Sequence, residues 1–143
     1  MSGTYRFIDH DSDIAVEVNG TTLEELFSAS ARAWKEVTVE KSLVSLKESN
    51  QINLEQPTSE ELLVSFLDEL NYLFHTKKWI TGSVESIWIS EEDKIWTLSA
   101  KLKGEPYSSS KHKTAAEIKA ITFHQVNIKK SGIYFSTRIL FDI

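Results

Sequence analysis

Apolar positions along the chain change their period twice, and the changes mark out the elements. Ile14, Val16 and Val18 alternate with Ala15 and Glu17, the period of two expected of a half-buried strand. Residues 5–8 read as a shorter strand before it, and Asn19-Gly20 ends the pattern with a turn pair. Leu23, Leu26, Phe27, Ala31, Trp34 and Val37 then recur at three- and four-residue steps, which predicts a helix over 23–38. Thr22 and Glu25 stand at capping-box spacing at its start, where each side chain satisfies a free backbone N–H. A strand through Ile52 and Leu54 follows over 49–55. Thr58 and Glu61 repeat the capping-box spacing, and Leu63, Phe66, Leu67, Leu70 and Phe74 form the apolar face of a second helix ending near 75–78. Beyond it the β period returns. Residues 84–90 and 95–103 predict one hairpin around Glu91-Glu92-Asp93-Lys94, and 118–128 and 133–141 predict another around Lys130-Ser131-Gly132. Between the hairpins, 104–114 is polar and long for a plain connection, as functional or mobile loops often are.

These elements predict an α+β fold, with two helices packed on a largely antiparallel sheet of about six or seven strands. With 143 residues and a hydrophobic fraction of 41%, one domain over 1–143 with its own core is the expectation. The chain has no cysteine, which excludes a thiolate nucleophile, a cysteine zinc site and disulfides. Its opening residues lack the basic-then-apolar order of a signal peptide, and every apolar run is interrupted by charge. A soluble cytoplasmic protein without a membrane segment is the expectation. The net charge of −5 disfavours direct RNA binding as the main activity. Lys111, Lys113, Lys119, Lys129 and Lys130 crowd the last third, and read either as a solvated surface or as a local basic patch.

Three segments carry candidate chemistry. Asp9, Asp11 and Asp13 are spaced by two around His10, so an extended chain points the three carboxylates to one side. Like charges so placed need solvent, donors or a cation, and hard divalent ions favour such oxygen clusters. A solvated turn capping local N–H groups is the alternative. The end of the sequence, Arg138-Ile139-Leu140-Phe141-Asp142-Ile143, is strand-like to its last residue. It offers the Asp142 carboxylate and the Ile143 α-carboxylate as half of an oxygen-ligated metal site, unless Asp142 simply blunts a strand edge. Third, residues 116–124 read as a strand with Glu117, Lys119, Ile121 and Phe123 on one face and Ala120, Thr122 and His124 on the other. A lysine between apolar neighbours needs a partner or a route to water. Glu117 is the expected partner unless Lys119 meets a ligand or another protein. His124 is either a ligand or a hydrogen-bonded strand residue. The sequence holds no Gly-rich phosphate loop, H-E-x-x-H, G-x-S-x-G or RNA-recognition strand signature. No nucleophile, base and oxyanion donors assemble into a catalytic set.

The same segments carry a family resemblance. Phe7-Ile8-Asp9-His10-Asp11-Ser12-Asp13-Ile14, then Gly20 and Thr22-Leu23-Glu24-Glu25-Leu26-Phe27, resemble the opening of archeases, which read D-H-T-A-D and then G-x-T-L-E-E-A-F. Gly104-Glu105-Pro106-Tyr107, His112 and the run from Glu117 to His124 resemble the family's G-E-P-F, H and E-I-K-A-V-T-Y-H block. Leu140-Phe141-Asp142-Ile143 resembles its L-D-I ending. The matches keep their order over nearly the whole chain.

This resemblance implies a cytoplasmic, non-enzymatic accessory protein that activates the GTP-dependent tRNA-splicing RNA ligase of the RtcB type. It implies promotion of ligase guanylylation and turnover, with RNA met only through the ligase, and a monomer is expected. It also implies a divalent metal (calcium, magnesium or manganese) held by acids from the two chain ends. By position these are Asp13 and Asp142, with the Ile143 carboxylate as a third donor and Asp9, His10 and Asp11 nearby. Lys119, Glu117 and His124 fall in the block assigned to partner or ligand contact. A chaperone-like binding module and a stand-alone metal-dependent hydrolase are the alternatives. Asp11-Ser12 stands where the family has Thr-Ala, Ser108-Ser109-Ser110-Lys111 replaces a more acidic loop, and Ala116 stands where Thr is common.

Overall fold

The computed structural model describes residues 3–8, 13–40, 44–122 and 126–143. In chain order the elements are β1 (Thr4–Ile8), β2 (Asp13–Gly20), α1 (Leu23–Thr38), β3 (Glu48–Gln56) and α2 (Ser59–His75). They continue with β4 (Trp79–Glu92), β5 (Ile95–Pro106), β6 (Ala120–Thr122), β7 (Lys129–Ser131) and β8 (Tyr134–Asp142). The fold is α+β, and the strands divide into two antiparallel sheets. One has the order β1-β2-β8-β6 with β7 also on β8, and the other has the order β3-β5-β4.

Both helices start where the capping residues put them. The Thr22 hydroxyl accepts the Glu25 N–H at 3.1 Å, and the Thr58 hydroxyl accepts the Glu61 N–H at 3.0 Å. Glu25 reaches back one residue further than a standard box and accepts the Thr21 N–H at 2.9 Å. Helix α1 is buried on more than its apolar stripe, because Ser28, Ala29, Ser30 and Ala31 are buried too. It packs against β2 of one sheet and β4 of the other, and its small residues allow both approaches. Trp34, Phe27, Phe66 and Phe141 fill the shared core. Trp34 Nε1 donates to Asn71 Oδ1 at 2.7 Å, and Asn71 Nδ2 donates to the Ile118 carbonyl at 2.8 Å. Two bonds thus tie α1, α2 and the segment ahead of β6 together.

Hairpin β4–β5 is longer than the apolar pattern predicts. Strand β4 begins at Trp79, and register shifts at Thr81/Ser83 and Val84/Ser86 break its alternation. Its turn is tight, with Asp93 and Lys94 at φ 52° and 62°, the left-handed pair that suits a two-residue hairpin. Gly104 lies where a Cβ would collide with the Ile80 carbonyl oxygen, so close strand approach requires glycine there.

The predicted strand over 118–128 needs correction. Among the described residues, 118–119 and 126–128 are not strand, and Ala120–Thr122 and Lys129–Ser131 are short strands that pair with opposite ends of β8. Between them Val126 is buried in the core at 8% exposure, and the Asn127 N–H bonds the Thr137 hydroxyl at 3.1 Å instead of a ladder carbonyl.

Candidate functional site

Strands β2 and β8 come from opposite ends of the chain and pair directly. Asp13 faces Asp142, Ile14 faces Phe141 and Val16 faces Ile139. Ile139, Phe141 and Val16 are buried in the core, so the alternate positions, Asp13 and Asp142 among them, project from the other side of the sheet. Directly opposed residues have Cβ atoms about 4.5–5.5 Å apart on one face. The two carboxylates are therefore neighbours, Asp13 half-buried and Asp142 exposed.

A third segment completes the arrangement. Asp142 also faces Ala120 of β6, and the Lys119 N–H donates to the Asp142 carbonyl at 2.7 Å. Lys119 precedes the strand and is exposed, as is Glu117. The expectation of a lysine inside a strand apolar on both sides is thereby corrected. No ion pair joins Lys119 to Glu117, and among the described residues none includes Asp13 or Asp142. Ile143 is exposed beside Asp142. Asp9, His10, Asp11 and His124 lie outside the described residues.

Like charges directly across a ladder destabilise it unless something positive joins them. The donors are hard carboxylate oxygens with no thiolate, which suits Ca²⁺, Mg²⁺ or Mn²⁺ better than softer ions. Among the described residues no three His, Asp or Glu side chains cluster as a ready metal cage. The pair therefore fits part of a hydrated, open coordination shell, with further oxygens supplied from elsewhere.

A second polar cluster was visible in the sequence only as part of the resemblance. Glu105, at the end of β5, accepts the Ser45 N–H at 2.7 Å, the Lys111 ammonium at 2.8 Å and the His112 ring at 2.9 Å. His112 is 1% exposed, and its Nδ1 accepts the Ser108 N–H at 3.0 Å, which places the ring proton on Nε2 towards Glu105. Lys111 and the Ser45 N–H hold the Glu105 carboxyl down at about 2, below its ordinary 4.5. Lys111, in the serine-rich run, thus holds the 107–112 loop to β5. The loop is also pinned to the end of α1, where Glu40 N–H bonds the Lys113 carbonyl at 2.7 Å and Ala115 N–H bonds the Thr38 carbonyl at 2.9 Å.

Two helices and two antiparallel sheets around one core, with acids from both chain ends paired on an outer face, define a small α+β protein without an assembled catalytic set among its described residues. Its likenesses agree. The sequence model of the Archease protein family (MTH1598/TM1083) matches residues 5–143. Protein archease of Pyrobaculum neutrophilum is 36% identical over 140 residues, spanning 97% of this chain and 95% of that protein. Protein archease of Thermococcus kodakarensis is 37% identical over 122 residues, 85% of each chain. The solution structure of Methanobacterium thermoautotrophicum protein 1598 superposes with a TM-score of 0.84 at 28% identity, over 97% of this chain and 98% of that one. The crystal structure of a Thermotoga maritima archease, described as a possible chaperone, covers 95% of this chain and 94% of its own, with a TM-score of 0.58 at 21% identity, a likeness of fold. The chain belongs to the archease family. No helix among its described residues is long and apolar enough to cross a membrane.

Proposed function

We propose that this protein is a cytoplasmic, non-catalytic activator of a GTP-dependent RNA ligase of the RtcB type, serving tRNA splicing and RNA repair. The observation that carries the reading is the pairing of Asp13 with Asp142 on an outer face without a cationic partner among the described residues. Asp13 and Asp142, with Ile143 beside them, would hold a divalent ion there, and Asp9, His10 and Asp11, outside the described residues, are the further candidate donors. Such an ion supplies concentrated positive charge and open positions for oxygen ligands. The residues of the chain do the rest. Strand β8 fixes Asp142 between β2 and β6, the Asn71 bond to Ile118 anchors the segment bearing Glu117 and Lys119, and the Lys119 ammonium is free to meet a phosphate or acidic group on the partner. RNA is engaged through the ligase.

The test is ligase guanylylation by GTP under multiple-turnover conditions, with and without this protein. Asp13→Ala and Asp142→Ala are expected to fold and to lose nearly all stimulation, and Lys119→Ala to lose a large part of it. Full stimulation by both aspartate variants refutes the metal-bearing site, and no stimulation of a cognate ligase by the parent protein refutes the activator role.

A chaperone-like binding module is the second reading. Trp88, Ile133 and Tyr134 favour it, exposed at 71%, 67% and 52%, as does the description of the Thermotoga relative. Suppression of aggregation of unrelated clients without metal separates it from selective action on a ligase.

A further inference from the structure

Away from the paired aspartates, α1 faces the irregular start of β4 across a pocket of about 190 Å³. Arg32 and Lys35 reach into it from one turn of the helix, and Ser28, Thr81 and Ser83 line the rest of its polar wall. Among the described residues no acidic side chain lines it. Arg32 and Lys35 are both half-buried, and among the described residues neither is in an ion pair. The Arg32 guanidinium lies over the Tyr5 ring, 5.8 Å from its centroid, and the other contacts of the two cations are to carbonyls. Arg32 donates to Gly3 O at 2.7 Å, and Lys35 makes a long bond to Gly82 O at 3.4 Å. A guanidinium has five N–H donors and an ammonium has three, so most of their donors remain unspent. Two like charges at i and i+3 on one helix repel, and cations are seldom buried unless paired. Thr81 adds an independent sign. It is 3% exposed, and among the described residues its hydroxyl has no hydrogen-bond partner, a state that is costly for a buried polar group.

On the far side of Arg32, Lys35 and Gly82 the surface opens into a broader cleft of about 680 Å³, walled by Tyr5, Val39 and Ala115. Its acids, Glu36 and Glu40, stand only on that outer side. The inner pocket is below the usual range of about 300–1,000 Å³ for whole small molecules and suits a single anionic group. The outer cleft is within that range and is partly aromatic.

We propose that the pocket between α1 and the bulged start of β4 binds the phosphate group of a phosphorylated small molecule, whose organic part lies in the outer cleft. Arg32 and Lys35 supply the charge, and Thr81 supplies a directed hydroxyl donor. The bulge at Thr81/Ser83 frees backbone at the pocket floor from regular pairing, a common device beside binding sites. The site shares no residue with Asp13, Asp142 or Lys119.

The experiment is a nitrogen-15 NMR titration of the full chain at constant ionic strength, first with inorganic phosphate and then with adenosine monophosphate. Saturable shifts at Arg32, Lys35, Thr81 and Gly82 are expected with both. The nucleotide should bind more tightly and extend the shifts to Val39 and Ala115. The Arg32→Gln/Lys35→Gln double variant should bind at least ~10-fold more weakly, in line with losing charge-assisted bonds. Thr81→Val, which keeps shape and fold, should bind ~5-fold more weakly. Asp142→Ala should titrate like the parent, which separates this site from the proposed metal site. Shifts that fail to saturate and spread over Lys113 and Lys129, or an unchanged titration in the double variant, overturn the proposal. Equal affinity for phosphate and nucleotide overturns the role of the outer cleft.

Discussion

Glu105 collects a lysine, a buried histidine and a backbone N–H on one carboxylate, and charge-assisted bonds of this kind favour its ionised form. Because the folded carboxyl ionises at about 2 against an ordinary 4.5, its contribution is complete above pH 4.5. It fades as the pH falls towards 2, where the folded group takes up its proton. Glu105→Gln is therefore expected to lower the urea midpoint at pH 7, and the gap from the parent should narrow steadily below pH 4.5. A gap that stays constant to pH 2 assigns the loss to shape and not to charge. Gly104, its neighbour, meets a different constraint. A Cβ there has no room beside the Ile80 carbonyl oxygen, so Gly104→Ala should cost about 1–3 kcal/mol, as overpacked sites do. Chemical denaturation of the variant measures it, and a cost near zero means the two strands separate without penalty.

Among the elements, helices α1 and α2 were legible because each joins two independent signals, a Thr-x-x-Glu start and a 3.6-residue apolar stripe. The burial of α1 on its Ser28 to Ala31 flank had no such signal, since small residues suit a tight interface and a surface equally well. In the stretch from 118 to 128, alternation of apolar residues concealed that 118–119 and 126–128 lie outside any strand, although Ile118 and Val126 are buried. Period two counts only the residue types, and an inward loop supplies them as well as a pleat does. The start of β4 was missed for the opposite reason, because its register shifts spoil the alternation. The aspartate pair was legible only through family resemblance, because register between strands at opposite ends of a chain leaves no local pattern. Asn71, which joins Trp34 to Ile118, was likewise silent. Asn71→Ala strands the Trp34 N–H and the Ile118 carbonyl, at an expected cost of about 1–3 kcal/mol. Amide exchange should quicken at Lys119, whose N–H bonds the Asp142 carbonyl. Unchanged protection at Lys119 means that β8 alone holds that segment.

For the whole molecule, the pairing of β2 with β8 makes the proposed cation a staple between the beginning and end of the described chain. Its binding would then act on global stability and not on a local loop, because unfolding must separate these strands. A ligand that binds the folded state alone adds about 2.7 kcal/mol at a hundredfold excess over its Kd. For a chain of this size such a gain raises Tm by roughly 8–10 °C. Calorimetry in calcium, magnesium and manganese should show this increase for the preferred ion and leave Tm nearly unmoved in Asp13→Ala and Asp142→Ala. Without metal, those variants should be no less stable than the parent, and somewhat more so, because removing either carboxylate relieves the cross-strand repulsion. That reversal of order between metal-free and metal-loaded protein distinguishes an ion site from two acids that simply support the sheet. Variants less stable than the parent under both conditions point to the structural role, and a Tm of the parent indifferent to all three ions removes the staple.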